Sequence, residues 1–169
     1  MAVSIDDFRA AMSRWATGIT VVTSRAGDQV AGMVANSFAG VSTDPLTVLF
    51  CADHATRTYP LIKDSGTFAV SILAQGQEDT FWVFAGRKGS RDADRFAGQD
   101  VITAVTGAPI FRHSQAWFDC RVVAEHKGGN THTIFVGEVL ATELGTAAHE
   151  PPLVYYHRRV RHLADATEE

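Results

Sequence analysis

Apolar residues at Ile5, Phe8, Met12 and Trp15 recur in steps of three and four, which sets them along one face of a helix. Ser4 stands where an N-cap is needed, and Asp7 three residues on completes a capping-box arrangement. Gly18 is placed to end this helix, whose stripe is expected to pack on a sheet. The period then shortens to two. Ile19-Thr20-Val21-Val22-Thr23 is β-branched throughout, and Gly27-Asp28 follows as a turn signal. Val30 to Phe38 returns as a second strand, so the pair predicts a hairpin. Thr43-Asp44-Pro45 turns the chain, and Leu46 to Cys51 reads as a third strand.

Thr56 to Lys63 predicts a short helix with Ala55 or Thr56 near its cap and Pro60 in its first turn. Thr67 to Leu73 is another strand, and Glu78 to Ala85 a helix with Phe81 and Phe84 on one side. Arg87 to Gln99 is charged and carries glycine, as a mobile surface loop does. Trp117 to Glu125 and His132 to Glu143 are long strands joined by Lys127-Gly128-Gly129-Asn130, and Leu153 to Tyr156 is a last short strand. Strands do not alternate with helices of ten or more residues. The order therefore speaks against a doubly wound parallel sheet and for a mainly β fold, a closed or split β-barrel with a few short flanking helices.

Composition narrows the function classes. The 169 residues suit one domain, taken as residues 1–163 with a polar tail at 164–169. A net charge of -4 weighs against a nucleic-acid partner, although a phosphate-bearing small molecule needs only a few local donors. No apolar run approaches the roughly 20 residues that span a bilayer. Asp6 and Asp7 near the start and the lack of a signal-peptide apolar region make cytoplasm the expected location and a membrane partner unexpected. Cys51 and Cys120 lie far apart in strand-like runs, without a CxxC partner, and read as buried, reduced thiols. The histidines show no metal-ligand spacing, so no metal is expected.

Familiar nucleotide and hydrolase signatures are missing: no GxGxxG, no GxxxxGK[ST], no GxSxG. A different set of segments is present. Trp15 to Thr23, Ala35-Asn36-Ser37-Phe38-Ala39-Gly40-Val41-Ser42-Thr43-Asp44-Pro45, Gly66 to Leu73, Gly107-Ala108-Pro109, His132 to Val139 and Pro152-Leu153-Val154-Tyr155-Tyr156 follow one another in order. Together they resemble the flavin reductase-like domain, the reductase component of two-component flavin monooxygenases, over residues 5–163.

The resemblance implies an FMN-binding split barrel acting as a homodimer. It implies FMN or FAD as the flavin and NADH or NADPH as the hydride donor. A separate flavin-dependent monooxygenase would be supplied by diffusion. It implies a ring site on Met33, Val34, Ala35, Asn36, Ser37 and Phe38 with Ser42, and backbone contacts from Cys51 and Ala52. Thr56, Arg57 and Thr58 take the place of the flavin-phosphate contacts, and the residue types suit an anion. Phe84, with Phe81 and Trp82, is placed to cover the flavin, although an aromatic helix face is more often core.

His132 takes the place of a histidine near the nicotinamide, able to hydrogen-bond the dinucleotide or to move a proton. The family commonly has Gly-Asp just before it; Asn130-Thr131 stand there here, leaving its tuning partner open. Tyr155 and Tyr156 match the nicotinamide-side segment, and strand alternation lets only one of them face a site. Arg87, Lys88 and the His157-Arg158-Arg159 cluster with Arg161 read as solvated surface. Read from the residues alone, Asn36 and Ser37 are equally ordinary turn polars, and Thr56 a plain cap beside a solvated Arg57. Two other activities suit the same barrel: a non-catalytic flavin carrier or sensor, and an FMN oxidase of a small phosphorylated substrate.

Overall fold

Strands form where β-branched and aromatic residues cluster, and turns where glycine or proline interrupts them. The computed structural model describes residues 2–89 and 94–163. In chain order the elements are α1 (Ile5–Met12), β1 (Thr17–Gly18), β2 (Thr20–Ala26), β3 (Gln29–Ala35), β4 (Ala39–Thr43) and β5 (Leu46–Asp53). There follow α2 (Thr58–Ser65), β6 (Thr67–Ile72), α3 (Glu78–Phe84), β7 (Val101–Ile102), β8 (Ile110–Phe111), β9 (Ala116–Gly128), β10 (His132–Leu144), β11 (Val154–Tyr156) and β12 (Arg159–Arg161). Seven strands make one antiparallel sheet in the order β3-β2-β6-β9-β10-β5-β4.

That sheet is rolled. Met33 and Ala35 from β3 meet Val48, Phe50 and Ala52 from β5, near the opposite end of the order, in one buried cluster with Val22, Phe68, Cys120 and Phe135. Helix α2 lays Ile62 into the same cluster. Phe50 meets Phe68 edge-on at 4.9 Å and stacks on Phe135 at 5.7 Å. Burying each such ring stabilises the fold by ~1.5–3 kcal/mol. Gly137 lets β10 close over this core, because a Cβ there would collide with the Phe68 ring. Among the described residues β3 and β4 stay unpaired on their outer sides, so the barrel is split, with three short helices around it, as the pattern predicts.

The Gly107-Ala108-Pro109 segment is a structural tie. Arg25 Nε donates to the Gly107 carbonyl at 2.8 Å, and Thr23 Oγ1 to the Pro109 carbonyl. Buried Asp119 holds the adjoining loop by accepting from the Thr106 backbone N–H at 2.8 Å and from its hydroxyl.

Several expectations need correction. Ser4 caps α1 as expected, taking the Asp7 N–H at 3.0 Å, but the helix stops at Met12, and Gly18 already pairs with Val154 in β1. The stripe does not pack on the sheet: Ile5, Phe8, Met12 and Trp15 are 69%, 60%, 52% and 70% exposed. The second strand ends at Ala35 rather than Phe38, and β4 forms at Ala39–Thr43, between the expected strand and turn, where no strand was expected. β12 turns the expected surface cluster into a strand, through His157 and Arg158 at positive φ. Within the expected loop 87–99, residues 90–93 lie outside the described residues. Phe96 there packs on Phe84 and Phe111 at 5.0 and 6.3 Å, so that part is anchored rather than mobile. Cys120 is buried as expected, whereas Cys51 is only partly so; both thiols are free. The tail at 164–169 lies outside the described residues.

Burial, with the Asp119 carboxylate as the lesser cause, pushes the Cys120 thiol up to about 12, from 9.0. Through that window the folded chain keeps a proton that the unfolded chain releases, so this group's contribution falls as pH rises. The expected slope is ~1.4 kcal/mol per pH unit between about 9 and about 12. Urea unfolding at stepped pH checks it: subtracting the Cys120→Ala curve should isolate the slope, and parallel curves would refute it.

Candidate functional site

The second apolar cluster lies outside the rolled sheet. Ile19, Val21, Leu73, Phe81, Phe84, Phe111 and Leu153 pack there, and Val34 and Tyr155 lean on them. Above it opens a groove of about 490 Å³ lined by Ile19, Met33, Val34 and Asn36, by Thr56, by Phe81, Trp82, Phe84, Ala85 and Arg87, and by Tyr155 and Arg158. Four chain regions meet at this place: the end of β3, the loop leading into α2, α3 with its exit, and the β11–β12 hairpin. Gly32 permits the meeting, since a Cβ there would stand 2.7 Å from the Phe84 ring. The bed is apolar, and flat ring systems suit it.

Cations line the groove and its side cavity. Arg87 and Arg158, both exposed, share the groove wall with Tyr155. A side cavity of about 200 Å³ adds Arg57, Arg95, Gly86 and Ala55 to the shared Met33, Thr56, Phe84 and Ala85. Burial, and then the neighbouring Arg57 guanidinium, hold Arg95 below the usual arginine value. Two guanidiniums that repel one another across a cavity suit a phosphate. Neither forms an ion pair among the described residues; Arg95 Nη1 only donates to the Phe84 carbonyl at 3.4 Å.

Of the residues singled out by the sequence, Met33, Val34, Asn36, Thr56, Phe84 and Tyr155 line the groove, with Arg57 in its side cavity. Phe38 lines an adjoining cavity of about 250 Å³ with Trp15, Thr17 and Asn36. Ala35 and Ala52 are buried in the core. Thr58 is fully buried at the start of α2, and its hydroxyl finds no partner among the described residues. Ser37 Oγ accepts the Cys51 N–H at 2.9 Å, stapling the end of β3 to β5. Ser42 folds its hydroxyl onto the Asp44 backbone, away from the groove. Tyr156 lies on the more exposed side of β11.

His132 opens β10 opposite Asp53 and does not line the groove. Its Nδ1 lies 2.9 Å from Thr131 Oγ1, so a hydroxyl stands where the resemblance led one to look for a carboxylate. Ile19, Ala85 and Arg95 went unread in the sequence. Phe96 was the available signal for Arg95, a lone aromatic in a charged run, which marks a stretch that docks on the core.

A match to the family described as "Flavin reductase like domain" covers residues 12–164. The chain belongs to that family. A flavin-dependent monooxygenase reductase subunit, HsaB, of Mycobacterium tuberculosis is 36% identical over 158 residues, 92% of this chain and 82% of that protein. An FMN reductase (NADH), RutF, of Variovorax paradoxus is 31% identical over 158 residues, 94% of this chain and 85% of that one. The solved structure of the Streptomyces globisporus NADH:FAD oxidoreductase SgcE6, in complex with NAD and FAD fragments, superposes with a TM-score of 0.86 at 31% identity, over 99% of each chain.

A flavin fits the residues present in this flavin reductase-like domain. The bed is apolar and the paired arginines suit an anion. Arg57→Met and Arg95→Met should each weaken FMN binding by roughly 10- to 100-fold, the value of a lost charge-assisted hydrogen bond. Flavin-fluorescence titration measures this, and riboflavin, lacking the phosphate, should bind wild type and variants alike. Unchanged FMN affinity in both variants would remove the phosphate role.

Proposed function

We propose that this chain takes a hydride from NADH or NADPH and passes it to FMN or FAD, releasing reduced flavin to a separate flavin-dependent monooxygenase. The observation that carries the reading is the charge layout of the groove. Arg57 and Arg95 line a side cavity that opens from an apolar bed, and Arg87 and Arg158 line the bed itself with Tyr155. The first pair suits the flavin phosphate, and the second the phosphates of a dinucleotide donor.

Bound flavin supplies the hydride-accepting ring. The chain's part is to hold two flat rings in register and to support negative charge on the accepting one, which requires no protein nucleophile. Met33, Val34 and Asn36 bound the ring bed, Thr56 and Arg57 fix the phosphate end, and Phe84 with Trp82 keeps water from one side. Tyr155 serves the nicotinamide side, and His132, which lies outside this chain's own groove, serves it from a second copy of the chain, Thr131 orienting the imidazole through Nδ1. No helix among the described residues is long and apolar enough to cross a membrane. A cytoplasmic setting suits an enzyme that draws on reduced nicotinamide and keeps two free thiols.

NADH oxidation at 340 nm should need added flavin, saturate with it, and fall by roughly 10²-fold in His132→Ala, as for loss of a proton-handling group. A rate no greater than that of free flavin, despite flavin binding, would point to a carrier.

The exposed face of α1 and the fully exposed β4, with Val41 and Leu46 also open, form apolar surface that a soluble monomer does not leave uncovered. A second copy of the chain is the proposed cover. Light scattering after gel filtration should give a dimer mass for wild type and a monomer mass for Phe8→Asp/Met12→Asp. A wild-type monomer would refute the homodimer.

A further inference from the structure

The loop from β5 to α2 carries Thr56 and Arg57, and it is also bonded to the residues on both sides of His132. The His54 backbone N–H donates to the Thr131 carbonyl at 2.9 Å. His54 Nε2 lies 2.9 Å from Oγ1 of Thr133, a buried residue. Between these two ties His132 stands opposite Asp53 in the β5–β10 ladder. The His54 ring is itself held, 4.5 Å from that of Tyr59, which leans on the core ring of Phe135 at 6.0 Å. At its other end the loop is fixed to the groove. The Asp53 carbonyl accepts the Thr56 N–H at 3.1 Å and its hydroxyl at 2.7 Å, and Asp53 Oδ1 accepts the Ala55 N–H at 2.9 Å. Thr56 Oγ1 lies 3.5 Å from Met33 Sδ, and both residues line the groove.

We propose that His54 is a positioning residue for the hydride transfer, holding Thr131 and Thr133 and through them setting the reach and angle of the His132 imidazole. This rests on the reductase reading and on the role given to His132 within it. A hairpin turn containing Gly128 and Gly129 is, left to itself, among the less ordered parts of a fold. Among the described residues the one side-chain hydrogen bond of His132 goes to its neighbour Thr131, so nothing on the imidazole ties the turn to the rest of the subunit. His54 supplies that tie from outside the hairpin. The same loop presents Thr56 and Arg57, so a subunit's own phosphate end and the histidine it lends to a second copy are braced as one unit. Displacing a reacting group by about 1 Å can cost on the order of 10²-fold in rate. Loss of one of the two ties is expected to cost less, roughly tenfold, because the backbone bond to Thr131 remains.

The test is a double-mutant cycle on the whole protein, His54→Ala against His132→Ala, read as kcat/KM for NADH at saturating FMN. His54 is exposed, so its truncation opens no cavity in the core. Alone, His54→Ala should lower kcat/KM roughly tenfold; in the His132→Ala background it should change it by less than about twofold, because both act through one imidazole. His54→Gln keeps a polar group that reaches the Thr133 hydroxyl and should return kcat/KM to within about threefold of wild type. Thr133→Val deletes that hydroxyl at nearly constant shape and should match His54→Ala. FMN affinity of His54→Ala, from flavin fluorescence, should stay within about threefold of wild type, since Asp53 still braces Thr56. An equal loss from His54→Ala in both backgrounds would overturn the proposal, and flavin-dependent NADH oxidation by wild type would leave the reductase reading standing. A fall in FMN affinity as large as the fall in kcat/KM would also overturn it, making His54 a brace of the phosphate loop alone. A wild type that oxidises NADH no faster than free flavin does would overturn both readings together.

Discussion

One constraint organises this molecule: a seven-stranded antiparallel sheet has to curl far enough for β3 and β5 to share a single core. The contact is made by Met33 and Ala35 on one side and Phe50 and Ala52 on the other, around the Phe68 and Phe135 rings. Small residues at 35 and 52 allow the two strands to converge. The convergence brings the end of β3 beside the loop that leaves β5, and this loop carries Thr56 and Arg57. Without the curl the groove would have a floor but no anion end. Ring site and phosphate site are thus consequences of core packing, and Ser37 reinforces it by tying β3's exit to Cys51.

Much of this was legible in the chain. Strands with β-branched runs, the hairpin turns at Gly27-Asp28 and Gly129-Asn130, and the helices at 58–65 and 78–84 all carry local signals strong enough to survive tertiary context. α1 was legible as a helix, but an apolar stripe states only that something must cover it. Whether that cover is the same chain or another is not a local property. β4 escaped because Ala39-Gly40-Val41-Ser42-Thr43 is exposed on both faces and so has no alternation to read. β12 escaped because its turn is built from His157 and Arg158, residues that rarely adopt φ of 54° and 60°.

The candidate site divides along the same line. Residues strung along one strand, such as Met33 to Asn36, could be recognised as a group. Arg95 could not, because it reaches Arg57 across 38 positions of sequence through the docking of Phe96 on the aromatic cluster. Chemistry that depends on two charges meeting is set by packing. Reading the residue types found one guanidinium, and the fold supplied the second.

The local irregularities also gather around the groove. The like-charged Arg57 and Arg95 and the positive-φ turn that carries Arg158 border it or the cavity continuous with it. The unpartnered Thr17 belongs to the adjoining cavity beside Phe38. Thr58, Gln75 and Ser114, also unpartnered among the described residues, line none of these spaces, so the association is incomplete. Each feature costs the free chain stability, of the order of 1–3 kcal/mol for a buried unsatisfied group or a strained residue. A ligand with an anionic centre relieves the charge repulsion between the two guanidiniums. The places where sequence, local geometry and packing disagree are therefore those where binding has most to offset.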